Sequence, residues 1–319
     1  MFARIFIILM VNIVIGVSSI AQTVGYKITR DAPNEVHKLQ LRWNPIYFDL
    51  FLANGSTIGA GVEARYSLKN DMMFSLNRWG SYLTVRDGDN GRFVCNEFYV
   101  QYPLIVKLKN KNVNIKLSES LIQTSDERTV TSTSIKVPST VKYITAISGG
   151  VFQYRSPIWL ENFYTEKHEN KPDYSDIVDV NDVPLSSFES GETSMSAFVI
   201  SAGISIHRII NTEIQLNGYS GTRDNTSWIN GYAHFLFAPS INFEDFTAET
   251  INNNESEFVI SGKDSPVERQ NIGFRAGFVM DFHTVKRISF SGRSEIGIRP
   301  GIKGKGFYLR QSLGITVNL

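Results

Sequence analysis

The chain has 319 residues and a formal net charge of +1, with 20% charged and 42% hydrophobic side chains, a balance that offers no electrostatic footing for a nucleic-acid partner. Cys95 is the one cysteine, so an intramolecular disulfide and a cysteine-built zinc or iron–sulfur centre are excluded. These bulk values suit a soluble globule as well as a membrane barrel, because barrels spread their apolar residues over alternate positions.

The N-terminus is more decisive. Arg4 supplies a positive charge, Ile5 to Val17 is almost wholly apolar, and Ser19-Ile20-Ala21 offers small residues to a signal peptidase. The pattern predicts a signal peptide over residues 1–21 and a mature chain starting at Gln22. A membrane anchor is the alternative, but the apolar run is shorter than the roughly 20 residues a spanning helix needs. No cysteine follows the cleavage site, which excludes a lipidated N-terminus. Residues 22–38 are polar and are expected to hang in the periplasm or to fold into a lumen as a small plug. Beyond residue 21 no long apolar run recurs, so the mature chain either is soluble after export or crosses a membrane as strands.

Residues 39–319 read as one domain whose hydrophobic period is two, the period of strands. Ile58, Ala60, Val62, Ala64, Tyr66 and Leu68 alternate with Gly59, Gly61, Glu63, Arg65, Ser67 and Lys69. Further on, Phe274, Ala276, Phe278, Met280 and Phe282 alternate with Gly273, Arg275, Gly277, Val279 and Asp281. Ile288, Phe290, Ile296 and Ile298 face away from Ser289, Ser291, Arg293, Glu295 and Arg299, and Phe307, Leu309, Leu313, Ile315, Val317 and Leu319 from Tyr308, Arg310, Ser312, Gly314, Thr316 and Asn318. Sandwich strands run about five to six residues, whereas membrane strands need roughly 9 to 11. These segments have the membrane length.

The stretch Asn96-Glu97-Phe98-Tyr99-Val100-Gln101-Tyr102-Pro103-Leu104-Ile105-Val106-Lys107 resembles the tyrosine-rich, Pro-Leu-containing strand of the PorT-like outer-membrane β-barrel families common in Bacteroidetes. The Ala-Gln junction at residues 21 and 22 fits the same resemblance, while Leu319 departs from the aromatic residue common at such C-termini. The resemblance implies an outer-membrane location with a porin, secretion-accessory or other role, and supplies no catalytic residues.

Short polar connections at Lys69-Asn70-Asp71, Lys109 to Lys111, Arg208 to Asn211 and His283 to Lys286 are expected as periplasmic turns. Longer ones at Arg86 to Arg92, Thr124 to Pro138, Glu161 to Met195, Thr222 to Ser227, Thr250 to Arg269 and Pro300 to Gly306 are expected to face outward. Alternation of short and long connections also requires turns at Ser156-Pro157 and Ala238-Pro239-Ser240, where proline would break a ladder. The expectation is an all-β, antiparallel, up-and-down transmembrane barrel of about 14 strands, with about 12 as the alternative. Trp43, Trp79, Tyr82, Trp159, Tyr164, Trp228 and Tyr308 fall near strand ends, where an aromatic girdle would sit.

The polar faces carry both signs of charge: Glu63, Arg65, Glu97, Lys107, Lys116, Arg275, Asp281, Arg293, Glu295, Arg299 and Arg310 are the expected lumen-lining residues. Such a lattice either lines a path for a small charged solute or pairs internally and fills the lumen, and the second is favoured because the fold wants a polar interior whatever it does. The acidic segment 161–195 and Asp87-Gly88-Asp89-Asn90-Gly91 lack full calcium-loop spacing and read as solvated loops. His168, between Glu166 and Glu169, is the one histidine with carboxylate neighbours at the expected outer rim, and reads as an exposed loop residue. No zinc-hydrolase, serine-hydrolase or phosphate-loop motif is present in the sequence. Gly301-Ile302-Lys303-Gly304-Lys305-Gly306 lies between strands and reads as a hairpin tip. The sequence thus predicts a non-enzymatic outer-membrane barrel without cofactor or metal, partnered by the bilayer and by other envelope proteins. It would act as a small-solute channel or binding protein; an accessory barrel of a secretion or surface machine and an outer-membrane hydrolase are the alternatives.

Overall fold

The computed structural model describes residues 25–84, 92–123, 128–161, 190–249, 258–260, 267–284 and 286–319, which hold strands and turns and no helix. The signal-peptide segment lies outside them. The strands are β1 (Tyr26–Asp31), β2 (Leu39–Phe51), β3 (Gly55–Ser67), β4 (Met73–Thr84), β5 (Val94–Gln123), β6 (Arg128–Glu161), β7 (Ser190–Leu216), β8 (Thr222–Phe243), β9 (Phe246–Glu249), β10 (Phe258–Ile260), β11 (Arg269–Gln270), β12 (Ile272–Phe282), β13 (Ile288–Ile298), β14 (Gly301–Ile302) and β15 (Phe307–Asn318). β2 to β8, β12, β13 and β15 pair antiparallel in chain order, and β15 returns to β2 from Tyr308↔Phe51 to Asn318↔Gln40. The sheet therefore closes into an up-and-down barrel. Leu39 and Leu319 exchange backbone hydrogen bonds at one end, here the terminal end; the opposite end is the far end.

Alternation sets the two faces. In β13, Ile288, Phe290 and Ile296 are exposed while Ser289, Ser291, Arg293 and Glu295 are buried. The same parity runs round the ring, so that Ile46, Leu76, Ile147, Ile204, Phe235, Phe274, Phe290 and Leu313 all stand on the outside, Leu313 at 73% exposure. A contiguous apolar surface of this kind is rare on a soluble protein and is what lipid tails accept.

The ring has ten strands in place of the expected count of about 14 or 12, because four supposed turns lie inside long strands. Lys109, Asn110 and Lys111 pair with Val141, Thr140 and Ser139. Arg208 to Asn211 pair on both sides, with β6 through Ile210 and with β8 throughout. Pro157 sits on β6 beyond Arg155, the last residue paired to β5, so β6 is an edge there and needs no donor on that side. Pro239 lies opposite the register shift between Phe198 and Ile200. Pro45 and Pro103 mark two further shifts, between Asn44 and Tyr47 and between Pro103 and Ile105. Prolines here make bulges, which bend a strand and reset its parity without ending it.

Two connections expected at the far end consequently lie at the terminal end. Residues 128–138 belong to β6, and residues 222–227 to β8. The turns at residues 69–71 and at His283 and Thr284 are found at the terminal end, with Asp71 and His283 in the left-handed region at φ 65° and 59°.

The β5–β6 ladder continues past the ring, from the last β4 contact at Gln101 to Gln123↔Arg128. This hairpin lies over β7 and β8: Arg223 Nε donates to Leu117 O at 3.1 Å and Asn225 Nδ2 to Asn114 O at 2.8 Å. Val113, Ile115 and Val137 share an apolar cluster with Ile210, Ile214 and Leu216. β1 takes the flank of β7 that β6 vacates, from Tyr26↔Leu216 to Asp31↔Thr212, and the Asp31 carboxylate accepts from the Thr140 N–H at 3.0 Å. Residues 32–38 then cross the terminal mouth, held by Asn211 Nδ2, which donates to Ala32 O at 2.8 Å and Glu35 O at 3.2 Å.

In a bilayer, a charge on this apolar outer face would meet hydrocarbon. Ile204→Arg is expected to destabilise the barrel by about 2–4 kcal/mol in urea titrations in phospholipid vesicles. Lys111→Ala, in the hairpin beyond the ring, is expected to stay within about 0.5 kcal/mol. Equal costs would contradict the assignment of the outer face.

Candidate functional site in the barrel interior

Inward side chains fill the barrel in three layers. At the far end Phe51, Phe93, Phe152 and Tyr154 belong to one large cluster with Tyr47, Trp79 and Tyr308, and the Tyr154 hydroxyl donates to Pro300 O in the β13–β14 connection. At the terminal end Met73, Ile144, Ala146, Ile209 and Trp228 form a second cluster, against which Val36 packs. Between the two lie the charges.

Near the terminal layer four groups form a closed square. Arg42 bridges Glu63 at 2.7 Å and Asp281 at 2.5 Å, and Arg65 bridges the same two carboxylates at 3.1 Å each. Arg65 also lies over the Trp228 ring at 4.8 Å. Above the square, Glu295 meets Arg293 at 3.1 Å and Arg275 at 3.6 Å, and accepts from Tyr232 at 2.5 Å and Tyr308 at 2.9 Å. Glu97 meets Arg275 at 3.4 Å and Arg310 at 3.6 Å and accepts from Asn77 at 3.1 Å. Arg310 links this group to Asp49 at 3.0 Å, which also takes Arg299 at 2.6 Å. All of these charged residues are 8% exposed or less. Six arginines (42, 65, 275, 293, 299, 310) face five carboxylates (49, 63, 97, 281, 295), leaving one excess positive charge in the lattice.

Beside these charges lies a small cavity of about 40 Å³. It is bordered by Asn77 Oδ1, Tyr99 OH, Asn230 Oδ1 and Arg293 Nε, which have no hydrogen-bond partner among the described residues. Its size and polarity suit a single buried water and no solute. The inward face is crowded by design of the sequence: Gly59 and Gly61 leave room for the Tyr47 and Trp79 rings, which a Cβ at either glycine would strike.

Of the expected lumen residues, Glu63, Arg65, Glu97, Arg275, Asp281, Arg293, Glu295, Arg299 and Arg310 point inward and join this lattice. Lys107 and Lys116 do not; both are exposed. The bulge after Pro103 turns Lys107 outward, opposite Tyr143, and Lys116 lies in the hairpin beyond the ring. Arg42 and Asp49 escaped the sequence reading because the Pro45 bulge switches the inward set from Gln40, Arg42 and Asn44 to Tyr47, Asp49 and Phe51. Pro45 inside an alternating run was the available signal. Of the expected girdle, Trp43 and Tyr82 stand on the outside, whereas Trp79, Trp228 and Tyr308 are interior. Tyr164, His168, residues 87–91, residues 162–189 and the side chain of Trp159 lie outside the described residues, whereas residues 190–195, expected in the acidic loop, are paired to β6 as the start of β7.

Two serine–histidine contacts occur inside, Ser148 with His234 Nε2 at 2.7 Å and Ser205 with His207 Nε2 at 3.2 Å. Neither is arranged for nucleophilic catalysis. His234 Nδ1 faces Arg275 Nε at 3.2 Å and His207 Nδ1 faces Trp228 Nε1 at 3.0 Å. Both Nδ1 atoms must therefore accept, so both Nε2 atoms carry the proton and donate to serine, the reverse of a general base.

Removing one charge from this lattice strands its partners. Asp49→Ala leaves Arg299 and Arg310 facing each other, and is expected to cost about 3–5 kcal/mol in urea titrations. Asp31→Ala, at an exposed site, should cost about 1 kcal/mol. A small effect at Asp49 would mean that water reaches the lattice.

No family model matches the chain, and no curated protein matches its sequence. Among solved structures it is similar to one described as "NanC porin structure in rhombohedral crystal form", at 9% identity and a TM-score of 0.27, over 88% of this chain and 100% of that one. A likeness at that score carries no weight for function.

Proposed function

We propose that the chain is an integral outer-membrane barrel whose lumen is shut by its own side chains, and that it works as an anchored scaffold presenting the terminal-end layer in the periplasm. Residues 1–21 would direct export. The apolar outer face supports insertion as strands, and the terminal end is the periplasmic one because both ends of the ring meet there, as in outer-membrane barrels generally.

The observation that carries the reading is the filled interior. A conducting barrel keeps a continuous aqueous path, whereas here aromatic, ionic and aliphatic layers follow one another along the axis. Among the described residues, the feature left to interact is the β5–β6 hairpin with β1 and the β7–β8 turn, a layer larger than a ring closure needs. This favours the accessory or scaffold role over the small-solute channel. Passage of a small anion is the second reading, favoured by the single excess arginine charge of the lattice, and would require the lattice to part.

Planar-bilayer recordings separate them. The purified chain is expected to give no stepwise conductance above the protein-free baseline; stable ohmic steps from the unmodified protein would overturn the closed-scaffold reading.

A further inference from the structure

At the terminal mouth, beneath the aliphatic layer, lies a pocket of about 330 Å³, roughly twice the ~150 Å³ apolar cavity that takes up benzene. Its floor is Met73, Ile144, Ile209 and Trp228. Its walls are Leu68, Val106 and Leu108, exposed by 37%, 45% and 54%. These side chains are uncovered because β4 begins at Met73 while β5 runs on past Gln101 with no neighbour on that side. The bulge after Pro103 turns Val106 and Leu108 inward, so one irregularity both sends Lys107 out and builds the pocket wall.

The rim carries Lys38, Lys69 and Lys142, with Asp71 as the one carboxylate and Asn34 and Ser67 as neutral polar groups. Asp71 is taken by Lys142 at 2.6 Å, so the rim is cationic on the side of Lys38 and Lys69. An aliphatic floor under a cationic rim matches an amphipath. Water is disfavoured by the floor, and the chain's own strap is already accounted for, since Val36 lines the pocket and does not fill it.

We propose that this pocket binds a single hydrocarbon chain carrying an anionic head group, the chain lying across Trp228 between Val106 and Leu108 and the head meeting Lys38 and Lys69. Burial of each methylene contributes about fourfold in affinity, and one charge-assisted hydrogen bond to the head about tenfold.

The test uses the chain from Gln22 in amphipol, with Trp43→Phe and Trp159→Phe so that Trp228 reports against the buried Trp79. Titration with 11-bromoundecanoate, which quenches tryptophan on contact, is expected to saturate and to be reversed by dodecanoate. Dodecanol should compete about tenfold more weakly, through loss of the charged contact, and dodecyltrimethylammonium should not compete. Leu108→Glu, and separately Lys38→Glu with Lys69→Glu, should weaken binding by about tenfold or more with an unchanged urea midpoint. Quenching that rises without saturating, equal competition by all three head groups, or undiminished binding by folded Leu108→Glu protein would each overturn the proposal.

Discussion

In hydrocarbon a backbone amide has no water to bond, and each one left unpaired costs several kcal/mol. Among the described residues no helix is long and apolar enough to cross a membrane, so a chain that spans must satisfy its amides between strands and leave no edge. Closure of β15 onto β2 meets that condition. It also decides the fate of every side chain in the wall, which can reach only the outer surface or the lumen. Arginines and carboxylates written into alternate positions therefore converge on one narrow interior.

That convergence turns the lumen into a core. An isolated buried charge is prohibitive, and a buried pair offsets its desolvation only when geometry and further hydrogen bonds are good. Arginine suits this because its planar fork serves two carboxylates at once. Arg42 and Arg65 do so in the square with Glu63 and Asp281, and Arg310 between Asp49 and Glu97. Aromatic faces supply the remainder, as where Arg299 lies 3.9 Å from the Tyr308 ring centroid. Apolar layers lie above and below this lattice. The same packing leaves interaction to the ends, where β5 and β6 outrun their neighbours.

Much of this was legible in the sequence, and the illegible part has one physical origin. Period-two alternation in β3, β12, β13 and β15 announces both the class of fold and seven members of the interior lattice, because those strands hold their parity through their charged stretches. Strand number was misread wherever a proline or a polar triplet looked like a turn. Lys109 to Lys111 are polar because they leave the apolar band while still paired to β6, and Pro157 and Pro239 are tolerated at an edge and a bulge. A bulge shifts parity by one residue, and local sequence does not distinguish it from a turn; only the partner strand does. Arg42 and Asp49 were missed and Lys107 was misplaced for that reason.

The central claim is that neighbouring residues of each wall strand alternate between lipid and a dry, filled interior. Spin labels placed singly at each position from 288 to 298 in bilayers, read for collisions with oxygen and with a water-soluble nickel chelate, test it directly. The account predicts high oxygen access at 288, 290 and 296, and low access to both reagents at 289, 291, 293 and 295. Ready access of the nickel chelate to the inward set, or an accessibility period near 3.6 residues, would contradict it.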